Sequence, residues 1–158
     1  MSFLLAQDAI NGKEGCAVVQ YDGKNNVLFG LKKMQTDAEF QESDFKVVGT
    51  RLVQTKTSGV KMSGSATIYY GSPLFLEMLV NYLKTGRVPV FAIQITNDDP
   101  ATTVGQQTVV LYGVKLSKVP IAILDADSDE LEEEVSFTFT NIEVLNWFND
   151  QPEQLGGN

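Results

Sequence analysis

The strongest constraint on this chain is a long run of strict two-residue alternation. Val60, Met62, Gly64, Ala66, Ile68 and Tyr70 alternate with Lys61, Ser63, Ser65, Thr67 and Tyr69. Successive side chains of a strand point to opposite faces, so the run predicts a strand with one buried and one wet face. Gly64 within it predicts a bulge or a close backbone approach. The same period recurs upstream, where Met34, Thr36, Ala38 and Phe40 alternate with Gln35, Asp37, Glu39 and Gln41. A weaker version follows, with Phe45, Val47 and Gly49 set against Lys46, Val48 and Thr50. Residues 17–21 and 27–31 flank Asp22-Gly23-Lys24-Asn25-Asn26, a run that tolerates the positive φ of tight turns, and so predict a hairpin. Further strands are expected over 90–96, around 108–116 and over 131–144, with a turn at Asn97-Asp98-Asp99-Pro100. In the last strand Val135, Phe137 and Phe139 alternate with Ser136, Thr138 and Thr140.

One segment breaks the period. Ser72 suits a helix N-terminus and Pro73 its first turn, where a missing N–H costs nothing. Phe75, Leu76, Leu79, Val80 and Leu83 then share a broad helical face, and Gly86 is a stop signal. The expected fold is mainly β: an antiparallel β-sandwich or barrel of about seven to eight strands with one packed α-helix. A single domain over 1–158 is expected, with 1–10 and 151–158 as flexible ends. Residues 50–58 (TRLVQTKTS) are polar, basic and threonine-rich between two long strands. They predict a projecting loop, read either as a mobile surface segment or as an arm that reaches a neighbouring subunit.

Composition removes many functions. The chain has no histidine and one cysteine, Cys16, so histidine triads, Cys/His zinc sites and internal disulfides cannot be built within it. Cys16 lacks an activating cation and is expected to be a buried structural thiol. The formal charge is -8, which disfavours a general nucleic-acid binder. No targeting segment or membrane anchor is expected: the apolar opening Phe3-Leu4-Leu5-Ala6 is far too short to span a bilayer.

The charge is segregated. Residues 125–158 hold ten carboxylates and no basic group, whereas 31–61 hold six basic groups against four acidic ones. Asp125, Asp127, Asp129, Glu130, Glu132, Glu133 and Glu134 form the densest acidic run. It reads as a charged strand edge that discourages aggregation, or as a docking surface for the basic segment of another copy. A calcium loop is rejected, because Glu130 stands where a glycine is required and Ser136 where a glutamate is required. Residues 59–64 match no phosphate-loop spacing. The acids are not set round a pocket with aromatic platforms, as a carboxylate hydrolase needs. Trp147, beside Phe148, is expected to anchor the C-terminal tail. Neither an enzyme nor a cofactor is expected.

With the elements placed, the chain resembles the PBSX-type tail-tube proteins of contractile-tailed phages and defective prophages. The residues that carry the resemblance are Ile10-Asn11-Gly12-Lys13-Glu14-Gly15, Gly49-Thr50-Arg51, Lys56-Thr57-Ser58-Gly59, Ser63-Gly64-Ser65-Ala66-Thr67 and the stretch 124–139. It covers most of 10–144; the hydrophobic opening and the Trp147-Phe148 end depart from it. The resemblance implies a structural subunit that forms hexameric rings, stacked into a hollow tube inside a contractile sheath. Two hairpins per subunit would join edge to edge with neighbours around the lumen. The implied partners are the chain itself, the tail sheath protein, and tail terminator and baseplate proteins. DNA would pass through the lumen without specific binding, beside a net acidic wall. The implied location is the virion tail, after synthesis in the bacterial cytoplasm. On this basis the expected inter-subunit contacts are Thr50, Arg51, Lys56, Thr57 and Lys61 facing Asp125, Asp127, Asp129, Glu130, Glu132, Glu133 and Glu134. Alternatives are the tube of a secretion or extracellular contractile injection system, or a monomeric β-barrel binding module.

Overall fold

The computed structural model describes residues 12–28 and 30–148. Its elements are strands β1 (Gly15–Tyr21), β2 (Lys24–Val27), β3 (Leu31–Phe45) and β4 (Gln54–Tyr69), helix α1 (Leu74–Thr85), then β5 (Phe91–Asp98), β6 (Gln106–Lys118), β7 (Glu132–Phe139) and β8 (Asn141–Asn146). The expected antiparallel β fold with one helix is what forms. Two antiparallel layers share one strand. β2, β1, β5, β6 and β8 make the first; β6, β7, β4 and β3 make the second. β6 changes layer along its length: Leu111 and Tyr112 pair with Ile142 and Asn141 of β8, while Lys115 and Leu116 pair with Thr138 and Phe137 of β7.

The change of layer is set by Gly113 and Thr140. Gly113 has φ +66°, the left-handed region that favours glycine, and its missing side chain leaves room for Thr140. The Thr140 N–H donates to the Tyr112 carbonyl at 3.1 Å. At this corner the expected single strand over 131–144 breaks into β7 and β8. Between the layers lies the core, with Ala17, Val19, Ile68, Ile93, Leu111, Val114, Val135 and Phe137 almost fully buried. Burying each large aliphatic or aromatic side chain contributes about 1.5–3 kcal/mol.

Local chemistry explains several departures from the expected boundaries. The first hairpin turns on Asp22 and Gly23 alone, both at positive φ, so Lys24, Asn25 and Asn26 belong to β2. Helix α1 starts after Pro73, with the Leu74 N–H donating to Ser72 Oγ at 3.5 Å, and ends on the left-handed Gly86. It buries Phe75 and Met78 against the core rather than the broad 75/76/79/80/83 face, leaving Leu83 exposed. Phe75 meets Phe91 with ring centroids 6.4 Å apart. Gly64 is a close approach, as expected: an added Cβ would stand 2.9 Å from both Phe137 and the Gln35 carbonyl. Cys16 is exposed, not buried, because the inward positions of β1 are taken by Ala17 and Val19. It should therefore react stoichiometrically with a maleimide in the native subunit, an outcome that intact-mass measurement checks. The ends at 1–10 and 151–158 lie outside the described residues.

Candidate assembly interface

β3 and β4 pair with each other far beyond the rest of the fold. β7 joins β4 only from Met62 to Tyr69, so eight residues of β4, from Gln54 to Lys61, have β3 as their sole neighbour among the described strands. At the strand rise this overhang is about 25 Å. Of the expected 50–58 loop, 54–58 are strand: Thr55, Lys56 and Thr57 pair with Asp44, Ser43 and Glu42. Their threonines suit a strand, and the loop proper is 46–53 at the tip. There Thr50 Oγ1 accepts from the Leu52 N–H at 3.1 Å, and Gly49 takes φ +100°.

The overhang buries little. Phe40 and Val60, register partners, carry the core-facing side past the body and stand 65% and 48% exposed. At the tip Val48 is fully exposed and Leu52 77% exposed. A lone two-stranded ribbon in water is marginal at best, and exposed apolar groups of this extent mark an interaction surface. The outer edge of β3, fifteen residues long, is also unpaired among the described strands.

The acidic run does not form one surface. Asp125, Asp127, Asp129 and Glu130 lie in an exposed loop between β6 and β7, where the Asp127 N–H donates to Asp125 Oδ1 at 3.0 Å. Glu132 points outward into an ion pair with Lys32, which holds the lysine pKa above its ordinary value through that hydrogen bond and charge. Glu134 is also outward. Glu133 points inward with Val135 and Phe137 and is 2% exposed. Burial raises its carboxyl above the ordinary range, since desolvation penalises the charged form. The basic side is divided too, with Arg51 at the tip, Lys56 and Thr57 in the overhang, and Lys61 opposite Glu39. Within one chain the basic and acidic sets are not in contact, apart from sharing the β3–β4–β7 layer.

The face of that layer turned away from the core is polar. It carries Gln35, Ser63, Ser65, Thr67, Ser136 and Thr138 in neighbouring register positions. Its charges include Lys32, Lys33, Lys61, Lys115 and Lys118 as well as Asp37, Glu39, Glu132 and Glu134, a mixed set rather than an acidic wall. Trp147 is 74% exposed and anchors nothing among the described residues, because β8 is a surface strand paired to β6 alone. No group of three potential metal ligands clusters among the described residues. No described helix is long and apolar enough to cross a membrane.

Replacing Glu133 with glutamine tests its placement. The raised carboxyl pKa means that the stability linked to this group is present below the ordinary carboxylate pKa and is lost as pH rises through the raised value. Glu133→Gln removes the desolvated charge, so the dilute, unassembled variant should melt higher than the parent at pH 8. The expected rise is about 2–4 °C, the effect of about 1 kcal/mol in a chain of this size. At pH 4 the difference should vanish or reverse, and melting curves across this range check the sign.

A model of the phage tail tube protein family matches residues 2–146. The chain is 36% identical over 152 residues to the uncharacterized protein YqbM of Bacillus subtilis strain 168, covering 96% of each. It is 36% identical over 141 residues to the phage-like element PBSX protein XkdM of the same organism, covering 89% of this chain and 93% of that one. Its fold is similar to a chain of the PVC sheath-tube complex of an extracellular contractile injection system in the extended state. That match has TM-score 0.64 at 14% identity and covers 88% and 93% of the two chains.

Proposed function

As a member of the phage tail tube protein family, this chain is a tail-tube subunit, and we propose that it polymerises into stacked hexameric rings around a lumen. The role is structural. The observation that carries the assembly reading is the β3–β4 overhang, which leaves Phe40, Val48, Leu52 and Val60 exposed and a fifteen-residue strand edge open for other copies to cover. Joining β3 of one subunit to the far border of the β6–β7–β4–β3 layer in the next would remove open edges and close a barrel. The hydroxyl-rich face of that layer, with its mixed charges, would then line the bore. Lysines interspersed with carboxylates and hydroxyls give a DNA backbone no continuous row of cations to bind, so DNA passes without specific capture. The outer surface would meet the sheath, and the two tube ends would meet terminator and baseplate proteins. The proposed 125–134 and 50–61 contacts belong between copies.

Analytical sedimentation and negative-stain imaging of the purified full chain test this reading. Rings or rods of uniform width are expected as concentration rises. A chain that stays monomeric at high concentration would overturn it.

A further inference from the structure

Glu133 occupies an inward position of β7 and is 2% exposed, yet its carboxyl makes no hydrogen bond or ion pair with any described residue. A buried carboxylate without a partner is costly to the free subunit. It lines a cavity of about 170 Å³ whose other walls include Tyr70, Ser72, Pro73, Leu76, Pro120 and Ile121. The cavity lies beside the N-terminus of α1, whose dipole already favours negative charge there. Exposed Ile121 and Leu124, and the carboxylates of the 125–130 loop, follow it along the chain.

The complementary chemistry is at the other end of the same layer. β4 runs from the hairpin tip at Gln54 to Tyr69, and its Ile68 is the register partner of Glu133. The tip and the cavity are thus separated by nearly the whole strand, about 45 Å at the strand rise. At the tip, exposed Arg51 makes no ion pair among the described residues and is flanked by exposed Val48, Leu52 and Val53. A guanidinium is planar, weakly hydrated and matched to bidentate contact with a carboxylate. Because knob and hole sit at opposite ends of one axis, the fit repeats head to tail instead of closing on itself.

We infer that Glu133 of one copy accepts Arg51 from the hairpin tip of the next copy along the strand axis, an inference that rests on the tube-subunit reading. Val48 and Leu52 cover Ile121 and Leu124 around the pair, and the 125–130 acids steer the basic tip inward. The buried carboxylate is a cost that the free subunit carries and that assembly relieves.

The test is a double-mutant cycle on tubes formed by the full chain: Glu133→Gln, Arg51→Gln and both together. Sedimentation reads the critical concentration for assembly, and negative-stain imaging identifies the product. Each single change should raise the critical concentration about 100-fold, as loss of one partner of a desolvated ion pair does. The double variant should be no worse than Glu133→Gln alone, and at pH 8 neither free single variant should melt below the parent. An unchanged critical concentration for either single variant, or losses that simply add in the double, would overturn the pairing while leaving the tube reading standing. A free Glu133→Gln subunit that melts lower than the parent at pH 8 would place the partner within its own chain and also overturn it. A parent that never forms tubes overturns both.

Discussion

Gly113→Ala should cost the subunit about 3–5 kcal/mol, a large share of the about 5–15 kcal/mol that holds a domain together. Two effects combine at this position. The φ of +66° penalises any side chain, by about 1–2 kcal/mol. The added methyl would also sit well inside contact distance of Thr140 Oγ1, at the corner where β6 passes between layers and β7 gives way to β8. Neither strand can step aside without breaking the bond from the Thr140 N–H to the Tyr112 carbonyl. The effects separate in a second background. Thr140→Ala removes the clashing oxygen, so adding Gly113→Ala there should cost only the φ penalty, about 1–2 kcal/mol. Chemical denaturation of the four proteins measures this, and an equal cost in both backgrounds would show that the corner is not the reason for the glycine.

Excising the overhang should have the opposite pattern: no loss of folding and complete loss of tubes. Gln41 and Gly59 are register partners beside the bulge at Gln41/Glu42, so residues 42–58 can be replaced by Asn-Gly, which favours a two-residue hairpin turn. Because the removed segment is exposed throughout, the melting temperature should change by no more than about 3 °C. Assembly should disappear at every concentration tested, since the apolar tip with Val48 and Leu52 and the last four residues of the β3 edge are gone. Tubes of normal width from the excised chain would sink the assembly role of the hairpin.

How much of this was legible in the sequence varies with the physics involved. The alternation over 60–70 carried the strand, its buried face and the Gly64 contact, because a strand's period and a missing Cβ are local properties. Pro73 and Gly86 bracketed the helix for the same reason. The partition of the acidic run was also within reach. Val135, Phe137 and Phe139 fix the parity of β7, and extending it by one step puts Glu133 inside and Glu132 and Glu134 outside. Reading those residues as one charged patch ignored that parity, and Cys16, one step out of phase with inward Ala17 and Val19, was misplaced in the same way. Reversing Glu132, Glu133 and Glu134 together would therefore bury a lysine and unfold the chain, not merely block a surface. Strand sharing was not legible. Nothing near Gly113 announces that it faces Thr140, because that meeting depends on partners far apart in sequence. Nor does composition tell Trp147 from a core anchor, since its exposure follows from β8 lying at the border of a layer.

The separation of hairpin tip and cavity along one strand direction also bears on how such a rod begins and stops. Its two termini are chemically unlike: one bristles with uncovered basic loops, the other with vacant acidic hollows. A nucleating platform must offer one of these chemistries and a capping protein the other, so neither can substitute for its counterpart. Length control then becomes a matter of which extremity is occluded first.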